Sequence, residues 1–175
     1  MGERDKLQPE ISRLLNHCGW AKKWVDLPYK HDGSSGEGIT VGVFDNIFDC
    51  QIWLENDWWS VDTVIEVKAL DWPDKSFPYN KISLNQRRWF PWRQSRNEGL
   101  RGWLALCMGN RTNSPEYPRK AWLIEWQDWL DAETSCGGKS IHYNEVTRRF
   151  PHYELSWNKG QWEFPEEHPF FKASR

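Results

Sequence analysis

The sequence predicts an α/β fold, with a single mixed β-sheet and helices on its flanks. Three observations predict it. A helical apolar stripe opens the chain, strand-like runs rich in β-branched and aromatic residues follow, and helical stretches separate the later runs instead of gathering at one end. At 175 residues the chain suits one domain and can bury a core without staples. Hydrophobic residues at 38% and charged residues at 27% exclude a disordered chain.

The first element is a short helix. Leu7, Ile11, Leu14, Leu15 and Cys18 trace its stripe, Pro9 fits its first turn and Gly19 stops it. A short strand is expected over 23–27. Residues 29–38 read as a loop, because their glycines do not match a phosphate-binding fingerprint. Strand-like runs lie within 44–54 and 59–70, with a turn at Glu55, Asn56 and Asp57. The second run carries Val61, Val64, Ile65 and Val67, which suit a central strand. Residues 71–82 hold two prolines and are expected to be irregular. Ser83 N-caps a helix through Gln86, Arg87, Arg88 and Trp89, which Pro91 kinks or ends. Strands follow over 102–108 and 121–126, then helices over 127–134 and 144–150. The core domain is expected over 1–155, with 156–175 as an aromatic tail packed on it.

The net charge is -2, from 23 Lys plus Arg against 25 Asp plus Glu, and taken alone it argues against a nucleic-acid binder. The charges are segregated, however. Residues 45–74 hold eight acids and one base, Lys68, a local charge of −7. Residues 81–101 hold six bases and one acid, Glu98, a local charge of +5. A cation site beside a phosphate-binding surface would use this layout, and so would two solvated faces that neutralise each other. The four cysteines are scattered without a C-x-x-C pair, which speaks against a zinc cluster. From the polar start no signal-peptide core is expected, and no apolar run reaches the length of a membrane span. A cytoplasmic protein with reduced thiols is therefore expected.

The chemistry-bearing stretch is Ile65-Glu66-Val67-Lys68. On a strand, Glu66 and Lys68 project to one side and Ile65 and Val67 to the other. A carboxylate beside an ammonium suits a site where the carboxylate holds a divalent metal. The ammonium then orients a water and stabilises charge on a phosphate. Mg²⁺ takes one or two carboxylates together with waters and substrate phosphates. A second carboxylate is expected from the preceding strand, with Asp49 first and Asp45 in reserve. E-x-K alone is also an ordinary same-face ion pair. Its context raises it: an upstream acid, a hairpin, a β-branched strand and a basic helix coincide.

These residues resemble the PD-(D/E)xK nuclease superfamily, through Asp49 and then Glu66-Val67-Lys68. Ser76-Phe77-Pro78, Ile82 and Gln86 are also similar to a stretch of the RecU-type Holliday junction resolvases of bacteria and phages, with Asn85 where that family has His. The resemblance spans about residues 8–155. It implies a restriction-endonuclease-like mixed sheet and a homodimeric endodeoxyribonuclease that cuts branched DNA with Mg²⁺, or Mn²⁺ in its place, in a bacterial or phage-infected cell. By that resemblance Asp49 and Glu66 hold metal, Lys68 serves the attacking water, Gln86 supports the site and Glu10 is an auxiliary acid. Lys81, Arg87, Arg88, Arg93 and Arg96 are the expected DNA contacts.

Of the 14 tryptophans, Trp53, Trp103, Trp122 and Trp126 are expected in the core. Trp89 and Trp92 lie beside arginines, where they either pack or stack on unpaired bases. Two other functions stay open: a non-catalytic DNA-binding module that keeps the nuclease fold, and a protein-interaction domain that uses exposed tryptophans.

Overall fold

Leu7, Ile11, Leu14 and Leu15 recur at helical spacing and bury one side of the first helix, α1 (Glu3–His17). The helix begins six residues before Pro9, so Pro9 lies inside it, on the exposed side. The computed structural model describes residues 3–17, 21–27, 39–45, 51–54, 57–60, 63–70, 73–94, 100–110 and 116–172. The expected loop at 29–38 lies outside them.

Strand β1 (Ala21–Leu27) pairs antiparallel with β2 (Ile39–Asp45), from Ala21↔Asp45 to Leu27↔Ile39. The next two strands, β3 (Gln51–Leu54) and β4 (Asp57–Ser60), form a separate hairpin. Then β5 (Thr63–Ala69) returns to β2 through Gly42↔Ile65 and Phe44↔Thr63. The two runs expected at 44–54 and 59–70 are therefore each divided between the main sheet and this hairpin. Residues 71–82, expected to be irregular, supply β6 (Ser76–Pro78) and a 3-10 turn over Tyr79–Lys81. Helix α2 (Leu84–Gln94) continues through the exposed Pro91. It lies in the connection to β7 (Arg101–Met108), which runs parallel to β5 from Thr63↔Arg101 to Ala69↔Cys107.

Strand β8 (Lys120–Glu125) pairs antiparallel with β7 and passes directly into α3 (Trp126–Cys136), so Trp126 opens a helix instead of ending a strand. Gly137 ends α3 in the left-handed conformation, at φ 63°. Strand β9 (Ser140–His142) pairs with β6, and α4 (Tyr143–Arg149) follows. The last segment, β10 (Glu154–Asn158), β11 (Gln161–Glu163) and α5 (Pro169–Lys172), adds a hairpin to the main sheet. The border expected at 155/156 thus falls inside β10. The result is a mixed α/β domain whose seven-stranded sheet has the order β1-β2-β5-β7-β8-β10-β11.

Strands β5, β7 and β8 are buried on both faces, which explains their near-continuous apolar runs. Trp103, Trp122, Trp126 and Trp129 are all essentially inaccessible. Phe90 of α2 stacks on Trp126 at 4.1 Å and lies directly over Gly102. A Cβ at Gly102 would sit 2.5 Å from the Phe90 ring, so only glycine admits this approach of helix to sheet. Among the described residues, Cys107 and Cys136 form no disulfide, and no helix is long and apolar enough to cross a membrane.

Two predictions concern stability. Gly102→Ala should cost about 1–3 kcal/mol by displacing the Phe90 ring, read as a lower urea midpoint. His168 is buried among aromatic rings; its Nε2 donates to the Tyr153 carbonyl, and its Nδ1 accepts from the Phe170 amide. Burial pushes its pKa down to about 4, the Tyr153 bond opposes that shift and His152 adds to it. The unfolded chain therefore takes up a proton near pH 6.5 that the folded protein refuses until about 4. Stability should fall as pH drops through that window, and a His168→Gln variant should show a flatter profile there.

A candidate active site on strand β5

Glu66 and Lys68 occupy the inner strand β5 and are only 3% and 8% exposed. Lys68 Nζ lies 2.9 Å from Glu66 Oε1. Gln86 Nε2 donates to the same oxygen at 2.6 Å. The Gln86 amide is itself oriented. Its Oε1 accepts from the Ser83 backbone N–H at 2.9 Å, and the Gln86 backbone N–H donates to Ser83 Oγ at 3.2 Å. This is a reciprocal capping box at the start of α2. Turning the amide over would lose both of its side-chain bonds, so its NH₂ group faces the Glu66 carboxylate. The first turn of α2 also brings partial positive charge toward that carboxylate.

The structure thus brings Glu66, Lys68 and Gln86 together. Asp49, Arg96 and Trp92's and Trp89's side chains lie outside the description, as does the side chain of Arg93. Asp45 is the last residue of β2, beyond the Phe44↔Thr63 pair, and so it lies toward the end of β5 remote from Lys68. Glu10 does not join the group. Arg119 Nη2 reaches its Oε2 at 2.5 Å and Trp162 Nε1 donates to that oxygen at 3.0 Å. Glu66 pairs with Leu104 and Leu104 with Ile124, which sets one face of the sheet. Ala121, Leu155, Trp157 and Trp162 follow the opposite face by the same register, and the Arg119 guanidinium lies over both tryptophans.

The expected DNA contacts divide. Lys81 and Arg88 are exposed. Arg87 instead points into the protein, where it pairs with Glu133 and donates to the Tyr79 and Ile82 carbonyls. It ties the 3-10 turn and α2 to α3. Nothing in the sequence shows this, because two of its three partners are backbone oxygens.

A divalent cation can be weighed against these donors. Glu66 offers a buried carboxylate, whereas Gln86 offers an N–H group and Lys68 an ammonium, neither of which ligates a cation. Among the described residues no cluster of three or more His, Cys, Asp or Glu could hold a metal. One carboxylate with waters and substrate phosphates is within the habit of Mg²⁺, so the donor set fits that ion but not a closed structural metal. No family model matches the chain, and no curated protein matches it.

Arg87→Ala should lower stability by about 1–3 kcal/mol, because it strands two carbonyls and the Glu133 carboxylate. A normal urea midpoint with weakened DNA binding would show instead that Arg87 serves the surface.

Proposed function

We propose that the protein is a metal-dependent endodeoxyribonuclease with a restriction-endonuclease-like core, acting on branched DNA as a homodimer. One observation carries the reading: a buried carboxylate, Glu66, shares one oxygen with an ammonium and an oriented amide on an inner strand of a mixed sheet. Burying a charge pair is costly, so a buried pair asks for a reason beyond stability. Glu66 would hold Mg²⁺, with Asp49 as the second carboxylate named by the sequence resemblance. The metal would supply charge stabilisation at the phosphate and an acidified water. Lys68 would orient the attacking water and place positive charge against the phosphate oxygens. Gln86 would keep Glu66 in one rotamer, held by the Ser83 capping box. Glu10, clamped on the far face, would take no part.

A second reading, a non-catalytic module that keeps the fold, has one observation in its favour: the Lys68 and Glu66 charges already neutralise each other.

Lys68→Ala should keep DNA binding and lose cleavage of four-way or flapped DNA by about 100-fold or more. Lys68→Gln, which retains much of the side-chain volume, guards against loss through misfolding. Normal cutting by a folded variant overturns the mechanism, and no metal-dependent cleavage by the parent protein favours the second reading.

A further inference from the structure

We propose that the outer edge of β1 pairs with the same edge of a second copy, so that the homodimer is built on one β-sheet continuous across both chains. The inference rests on the homodimer part of the function proposed above and names the surface that part uses.

Among the described residues the main sheet ends in β1 on one side and β11 on the other. β11 is three residues long, which is a short edge and a poor template. β1 runs for seven residues, about 23 Å, and every one of them pairs with β2 on the inner side. Its outer side carries no strand among the described residues. The backbone N–H and C=O groups along such an edge are a template for a further strand. No proline interrupts the template.

The order of charges along Ala21-Lys22-Lys23-Trp24-Val25-Asp26-Leu27 selects a second copy as the occupant. Two copies paired antiparallel through one edge are related by a two-fold axis. The axis must fall on a residue, because residues one apart face opposite sides of a sheet. Centred on Trp24, it pairs the whole strand: Ala21 with the partner subunit's Leu27, Lys22 with the partner subunit's Asp26 and Lys23 with the partner subunit's Val25. Lys22 thus stands across from Asp26 on both sides of the axis, and opposite charges directly across a ladder favour it. Centred on Lys23, the axis would set that lysine against itself and take Asp26 out of the ladder. Centred on Val25, it would take Lys22 out. Lysines on an edge keep chains apart where they meet one another. Here the register that pairs the full strand is also the one that answers Lys22 with Asp26.

The fold admits this join. The axis stands perpendicular to the sheet, so each face of one copy continues into the same face of the other. Helix α1, held through Glu10 on the face opposite Glu66, also packs against β1, so both copies of α1 flank the seam on that side. Both Glu66–Lys68 pairs lie on the other side. The order β5-β2-β1 is repeated in reverse beyond the seam, which puts the two β5 strands about 24 Å apart measured along the sheet. A branched DNA lying across that face can meet both pairs.

The test is sedimentation equilibrium of the full chain over a dilution series, without DNA. The parent should be dimeric. Lys22→Asp and Asp26→Lys, each alone, set like charges across both pairs and should weaken dimerisation by about 10-fold or more. Mixed one to one, these two variants should associate again as dimers holding one chain of each, because every charge pair across the seam is then opposite in sign. The Lys22→Asp/Asp26→Lys double variant should dimerise as the parent does, which guards against loss through misfolding. With a dimeric parent, single variants that dimerise as it does, single variants that stay apart when mixed, or a double variant that stays monomeric overturn this interface and spare the homodimer reading. A monomeric parent overturns both, and leaves metal-dependent cleavage to the Lys68 variants.

Discussion

The constraint on which the rest of the structure depends is a carboxylate inside a strand that is covered on both faces. Glu66 cannot remain ionised there unless donors reach it. Lys68 supplies one from the same face of β5, and Gln86 supplies the other from α2. The second donor fixes more than a side chain. Gln86 can face Glu66 only while its own carbonyl is held by the Ser83 N–H, so the start of α2 is fixed relative to β5. That position sets the 3-10 turn before the helix, which Arg87 straps to α3. It also lets the body of α2 reach the sheet at Gly102, where Phe90 meets Trp126.

Much of this was legible because it is local. The helical stripe of α1, the β-branched run of β5, the Ser83 cap and the same-face relation of Glu66 and Lys68 all follow from spacing along the chain. The misplaced elements are those decided by pairing. Residues 44–54 have one strand-like texture, yet the chain leaves the main sheet after Asp45 to form the β3–β4 hairpin. The β6–β9 ribbon joins segments more than sixty residues apart, and β10–β11 is too short to show alternation. Such partners leave no mark within an eleven-residue window. The arginines show the same limit: Arg87 and Arg88 are neighbours with identical chemistry, and only the fold sends one inward and leaves the other exposed.

The two faces of the sheet use buried charge differently. On one, Glu10 accepts from Arg119 and from Trp162 of the β10–β11 hairpin, and the Arg119 guanidinium lies over Trp157 and Trp162. This cluster joins the first helix to the last hairpin, closing the chain's two ends over one side of the domain. Its two donors, Arg119 just before β8 and Trp162 in β11, hold the first helix to the sheet, as suits a structural clamp. On the other face, Glu66 is met by a lysine two residues away and by a glutamine from the start of one helix.

This difference bears on what the Glu66–Lys68 pair is for. Apolar residues at 66 and 68 would continue the run of Val64, Ile65 and Val67, and replacing buried ion pairs by packed hydrophobics is often neutral or stabilising by about 1–4 kcal/mol. Stability is thus a poor reason for placing both charges there. Breaking the pair by removing one partner costs about 3–5 kcal/mol, so neither residue is an idle substitution. Glu10 and Arg119 bridge distant parts of the chain and so have an architectural reason to be charged. Glu66 and Lys68 are two residues apart on one strand, and it is Gln86 on the Glu66 carboxylate that ties β5 to α2. Under the nuclease function proposed above, this costly pair would act on a third group, a phosphodiester with its cation, whose charges answer both a carboxylate and an ammonium.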